Sequence, residues 1–103
     1  NAIQKHAESK NLYIAEGYTG HGVGKQLHEF PQVPNFGAAN TGHLLVPGMV
    51  IAVEPIVKAT PSATYVSKNN WTVKTKDGSL SAHFEHTILI TEGSPEILTK
   101  INT

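Results

Sequence analysis

The pattern of apolar and polar positions divides the chain into one short helical stretch followed by extended runs between turn residues. Residues 1–11 carry Ile3, Ala7 and Lys10 on one stripe, and Asn11 is placed to close a helix there. Leu12-Tyr13-Ile14-Ala15 then starts an extended segment. Residues 31–48 are cut at short intervals by Pro31, Pro34, Gly37, Gly42, Pro47 and Gly48, which predicts an irregular surface loop. Met49–Val57 is almost wholly apolar and predicts a strand, with Pro55 at its end or at a bulge. Residues 58–69 are polar and predict a loop. Trp71–Lys76 and Ser79–Thr91 flank Asp77-Gly78, a favoured two-residue turn, and so predict a hairpin. Ile97 and Leu98 add a short edge strand. The sum is α+β: a mostly antiparallel sheet with one or two helices, in one small domain over residues 1–103.

Two acids interrupt this pattern. Glu54 lies inside the apolar run 49–57, and Glu85 inside Ser81–Thr91. Alternate strand residues share a face. Phe84, His86, Ile88 and Ile90 then point one way, and His83, Glu85, Thr87 and Leu89 the other. His86 on the first face reads as a core histidine. A buried, isolated carboxylate is costly unless it is paired or holds a cation. Each acid alone has a bland explanation in a nearby Lys or an exposed edge. Together they suit a cation lying between them.

Upstream, Gly17-Tyr18-Thr19-Gly20-His21-Gly22-Val23-Gly24 predicts a loop that approaches something closely or adopts positive φ. No Lys-Ser or Lys-Thr pair closes it, so the phosphate-loop reading is poor. The glycines frame His21, and His28 follows just before Glu29. Singly, either histidine reads as a loop residue, and His6 and His43 read as surface. Taken as a set, one imidazole and two carboxylates suit Mn, Fe, Co or Zn, and a catalytic ion there needs one open position.

Composition narrows the alternatives. Eight Lys against eight acidic residues leave no net charge, so nothing points to nucleic acid or an anionic membrane. Without Cys there is neither disulfide nor thiolate site, which allows a reducing compartment. No segment has the length of a spanning helix. Asn1 in place of Met suggests a piece of a longer chain.

Four blocks now occur in order: Gly20-His21-Gly22-Val23-Gly24 with Leu27-His28-Glu29; Pro47-Gly48-Met49 leading to Glu54-Pro55; Trp71–Thr75; and Ser81-Ala82-His83-Phe84-Glu85-His86-Thr87. From about Tyr13 to Thr99 they closely resemble the C-terminal half of bacterial type I methionine aminopeptidases. Proline-specific relatives match Phe84-Glu85-His86-Thr87 less well. The resemblance implies a pita-bread fold, two similar α+β halves around a central site. It implies a cytoplasmic enzyme that removes N-terminal methionine from nascent polypeptides with two divalent metal ions (Co, Mn, Fe or Zn).

By the same resemblance His21 and Glu54 are ligands of one metal, Glu54 also moving a proton, and Glu85 bridges both metals. His28 steadies the scissile peptide. Trp71, and with them Leu27 and His83, line the substrate pocket. The implied reaction is attack of a metal-bridging water on the peptide carbonyl, with proton relay to the leaving amine. The family draws two aspartate ligands and another histidine from its N-terminal half. Asp77 is the only Asp in this chain and belongs to a turn, so it does not replace them. The chain is expected to be an incomplete site that needs its N-terminal half, that is inactive by itself and that pairs with a second copy. The competing expectation is a stand-alone, non-catalytic module used for protein binding or structure. Retention of all three ligand-type residues argues against it.

Overall fold

A computed structural model describes residues 1–69 and 73–101. Helix α1 spans Ala2–Ser9, close to the predicted stretch, and buries Ala7. Asn11 follows at φ 59°, the left-handed conformation that ends the helix. The remaining elements are strands β1 (Tyr13–Ile14), β2 (Thr19–Gly22), β3 (Glu29–Pro34), β4 (Val50–Val53), β5 (Ile56–Lys58), β6 (Thr64–Val66), β7 (Val73–Thr75), β8 (Ser81–His83), β9 (His86–Leu89) and β10 (Glu96–Ile97). All the pairings among them are antiparallel.

A five-stranded sheet runs β10-β9-β4-β2-β3, a three-stranded sheet β1-β5-β8, and β6 pairs with β7 alone. The core lies on β4 and beside β1: Ile51 and Ala52 are 1% exposed, with Ile14, Ala15 and Ala7 nearly as buried. Burying an Ile side chain such as Ile51 contributes about 1.5–3 kcal/mol.

The two long strands expected at 49–57 and 81–91 are each broken. The first splits into β4 and β5 at Glu54-Pro55, the second into β8 and β9 at Phe84-Glu85. Each crosses there from one sheet to the other. The ladders stop at Val53↔His86 on one side and resume at Ile56↔His83 on the other. Across the gap the Phe84 N–H donates to the Pro55 carbonyl at 3.0 Å. Pro55 lacks an N–H to return a bond, which makes this a natural place for the ladder to open.

Other expectations change with the pairing. The chain does turn here, but one residue earlier than expected: the Gly78 N–H donates to the Thr75 carbonyl at 3.3 Å, with Lys76-Asp77 central and Gly78 at φ 74°, and no hairpin forms. The strand before it, β7, pairs back with β6, and the strand after it, β8, pairs with β5. Residues 58–69 therefore contain a strand, β6, rather than only loop. Residues 29–34, of which 31–34 were expected to be irregular, form β3 at the sheet edge, where proline is tolerated because one side of the strand needs no partner. The Ile97 edge strand is present as β10.

The glycine-rich stretch is also a strand. In β2, a Cβ on Gly20 would sit 2.0 Å from the Ala52 carbonyl oxygen, and one on Gly22 would sit 2.3 Å from that of Phe30. The close approach predicted for these glycines is to the backbones of neighbouring strands and not to a ligand.

Candidate metal centre

The register of the five-stranded sheet assembles the site. His21 on β2 lies opposite Ala52 on β4, and Ala52 lies opposite Thr87 on β9. Paired residues share a face. Two residues beyond Ala52 comes Glu54, and two before Thr87 comes Glu85, so both carboxylates leave the sheet on the His21 side as the strands break. Ala52, between His21 and Thr87 in the register, is buried. Ligand atoms of His21, Glu54 and Glu85 all lie within 4.8 Å of one another.

His21 Nε2 is 3.0 Å from Glu54 Oε2, with the two side chains 13% and 20% exposed. That oxygen is buried and accepts no hydrogen bond, so the ring nitrogen meets it off the line that a hydrogen bond requires. On the other side of the ring, Nδ1 lies 3.0 Å from the Gly22 carbonyl oxygen. A proton on Nδ1 donates to that oxygen and leaves the Nε2 lone pair facing the carboxylate. A second-sphere bond of this kind is what fixes a metal-ligating imidazole. A ring lone pair and an orphaned carboxylate oxygen 3.0 Å apart, not bonded to each other, fit a shared cation.

The bland explanations fare differently for the two acids. Among the described residues no Lys forms an ion pair with either glutamate; the groups that face Glu54 are the imidazoles of His21 and His83. Glu85 itself is exposed, so the burial cost expected for both acids applies to Glu54 alone.

Around the cluster, the His28 ring centroid lies 4.1 Å from that of His21, and His28 is exposed on the loop between β2 and β3. His83 Nε2 is 3.7 Å from Glu54 Oε1. Leu27 is exposed on the same loop as His28. Trp71 lies outside the described residues. His86, expected in the core, is exposed instead, and its Nδ1 is 2.8 Å from Thr99 Oγ1. His6 and His43 are on the surface as expected. The described residues include no helix long and apolar enough to cross a membrane.

Known proteins place the fold and the sequence in one group. Methionine aminopeptidase 1 of Bacillus subtilis is 48% identical over 101 residues, covering 98% of this chain and 41% of the relative. The methionine aminopeptidase of Escherichia coli is 46% identical over 98 residues, covering 95% of this chain and 37% of the relative. Among solved structures, methionine aminopeptidase from Rickettsia prowazekii superposes with a TM-score of 0.91 at 46% identity, and that from Thermotoga maritima with 0.91 at 50%. Each superposition covers 96% of this chain and 40% of the other. The antiparallel sheet with one helix is thus part of the pita-bread fold of methionine aminopeptidases, and the chain spans about two fifths of the length of these relatives. The family model for metallopeptidase family M24 matches residues 1–92, the stretch that carries His21, Glu54 and Glu85, and the chain belongs to that family.

Proposed function

We propose that this chain supplies one wall of the active site of a metal-dependent methionine aminopeptidase, as the C-terminal half of its catalytic domain. The observation that carries the reading is the convergence within 4.8 Å of one imidazole from β2 and two carboxylates from the two strand breaks. His21, Glu54 and Glu85 would hold divalent metal, with Glu85, on the open side, left to bridge toward a second ion. Bound there, such ions polarise a peptide carbonyl and acidify a water molecule.

The chain's own residues do the rest. The Gly22 carbonyl holds the His21 ring in one tautomer. Glu54 is placed to take a proton at a carboxylate oxygen and to deliver it to a leaving amine. His28, exposed beside His21, is placed to donate to the carbonyl oxygen of a substrate peptide. Leu27, Trp71 and His83 would line the pocket for an N-terminal methionyl residue of a nascent chain, in the cytoplasm.

Three side chains would surround one ion only in part and would leave a second short of ligands. The remaining ligands would come from the part of the relatives' length that this chain does not match. The test is a chimera in which these 103 residues replace the matching 101 residues of the Bacillus subtilis relative. It should release methionine from a methionyl peptide only with added Mn, Co or Fe, and should lose that activity in the His21→Ala form. A folded chimera that binds metal and releases no methionine would refute the reading.

A further inference from the structure

We infer that His83 is a positioning residue that holds Glu54 through its outer oxygen; this rests on the metal-centre reading and goes beyond a role in lining a pocket. Glu54 divides its two oxygens between two imidazoles. Oε2 faces His21 Nε2 at 3.0 Å, and Oε1 faces His83 Nε2 at 3.7 Å. His83 does not belong to the group of mutually close ligand atoms, so it stands beyond the cation's first ring of contacts.

Its place is fixed independently of that group. His21 sits on the five-stranded sheet, whereas His83 sits on β8 of the three-stranded sheet, opposite Ile56 on β5. The adjacent Phe84–Pro55 hydrogen bond ties β8 to the residue that follows Glu54. His83 therefore approaches Glu54 from the far side of the strand break. Closing 3.7 Å to a charge-assisted hydrogen bond requires a shift of about 1 Å, within the range of a ring that is half-exposed.

The physical need is plain. A carboxylate that gives one oxygen to a cation can rotate or spread to bind through both. A donor on the second oxygen keeps it monodentate and aimed. Removing such outer-sphere partners typically weakens metal binding by about 10- to 100-fold.

The experiment is a Co(II) titration of this chain, followed by visible absorption, for the unmodified protein, His83→Ala and His83→Gln. Gln can donate a hydrogen bond to Glu54 but is a poor substitute for a ligating imidazole. The expected result is a loss of about 10- to 100-fold in affinity for His83→Ala, near-complete recovery in His83→Gln, and the same absorption band throughout. Thermal melts of the metal-free proteins check that both variants fold. Equal affinity in the unmodified protein and a folded His83→Ala would overturn the inference and leave the metal centre standing. Loss in both variants with a displaced band would also overturn it, making His83 a direct ligand. No binding by the unmodified chain would overturn the metal-centre reading itself.

Discussion

The Phe84 N–H donates to the Pro55 carbonyl at 3.0 Å, and this one bond spans the gap where two strands leave one sheet for another. Each residue adjoins a glutamate of the candidate centre. Glu54 precedes Pro55, and Glu85 follows Phe84. The acids are free to converge because they stand where the ladder opens and not inside it.

The crowding of β2 gives a stability prediction. Gly20→Ala would place a methyl 2.0 Å from the Ala52 carbonyl oxygen, which is backbone and cannot swing aside. Overpacking of this kind costs about 1–3 kcal/mol or more. Urea unfolding should show a lower midpoint for Gly20→Ala, while Gly93→Ala, which meets nothing within 4 Å, should show almost none of that loss. Equal midpoints for the two would mean that the β2–β4 contact is looser than described.

These close-packed glycines also show how far the sequence could be read. Glu54 and Glu85 stood out because carboxylates among apolar strand residues demand a reason, whereas His21 alone read as a loop residue and gained weight only beside them. The strand breaks did not stand out, because the apolar pattern runs straight through Glu54-Pro55 and Phe84-Glu85. A change of sheet is decided by which distant strands are available to pair. For the same reason Asp77-Gly78 announced a turn, found one residue earlier, and a hairpin that does not form. Pro31 and Pro34 hid β3, since only its position at a sheet edge makes prolines acceptable there. His83 was visible only as a pocket residue of a resembling family, because its approach to Glu54 depends on the break.

The turn itself carries a pH dependence. Hydrogen bonds from the Ser79 side chain, then from Thr60 and from the Ser79 backbone, hold the Asp77 carboxyl well below its ordinary pKa. Thr60 Oγ1 donates to Asp77 Oδ2 at 2.5 Å, and the Ser79 N–H donates to Oδ1 at 3.0 Å. A carboxylate with a depressed folded-state pKa stabilises the fold above its unfolded value, and that stabilisation disappears as pH falls through the folded value. The group is fully exposed, so water screens the effect and the change should be small. Melting temperature followed from neutral pH down through the carboxylate range should fall less steeply for Asp77→Asn than for the unmodified chain. Parallel curves would show that the Asp77 bonds do not persist in solution.

Apolar surface gives a third prediction. Leu27, Phe30, Leu44, Leu80 and Phe84 are each more than half exposed. Phe84 also borders an apolar cavity of about 470 Å³ with Ile3, Ala7, Leu12, Pro55 and Val57. Exposed apolar surface of this kind favours association, and a homodimer of the isolated chain is the expected form. Sedimentation at micromolar concentration should reveal it, and Phe84→Ser should shift the balance toward monomer. A monomer at all concentrations would remove self-pairing from the account.

Metal should stabilise the fold through the same three side chains. A ligand present at about 100 times its dissociation constant adds about 2.7 kcal/mol. Saturating Mn or Co should raise the melting temperature of the unmodified chain and leave that of Glu54→Gln and His21→Ala almost unchanged. A similar rise in all three would place the metal elsewhere on the surface.

The most direct test of the centre is the metal's own coordination shell. X-ray absorption at the zinc edge, on this chain loaded with one equivalent of Zn, reports the neighbours of the ion. The account predicts a single imidazole, with its nitrogen at about 2.0–2.1 Å, and oxygen ligands otherwise. It also predicts that the imidazole signal disappears in His21→Ala. A shell of oxygen alone, or an imidazole signal that persists in His21→Ala, would contradict the assignment of His21, Glu54 and Glu85 as the site.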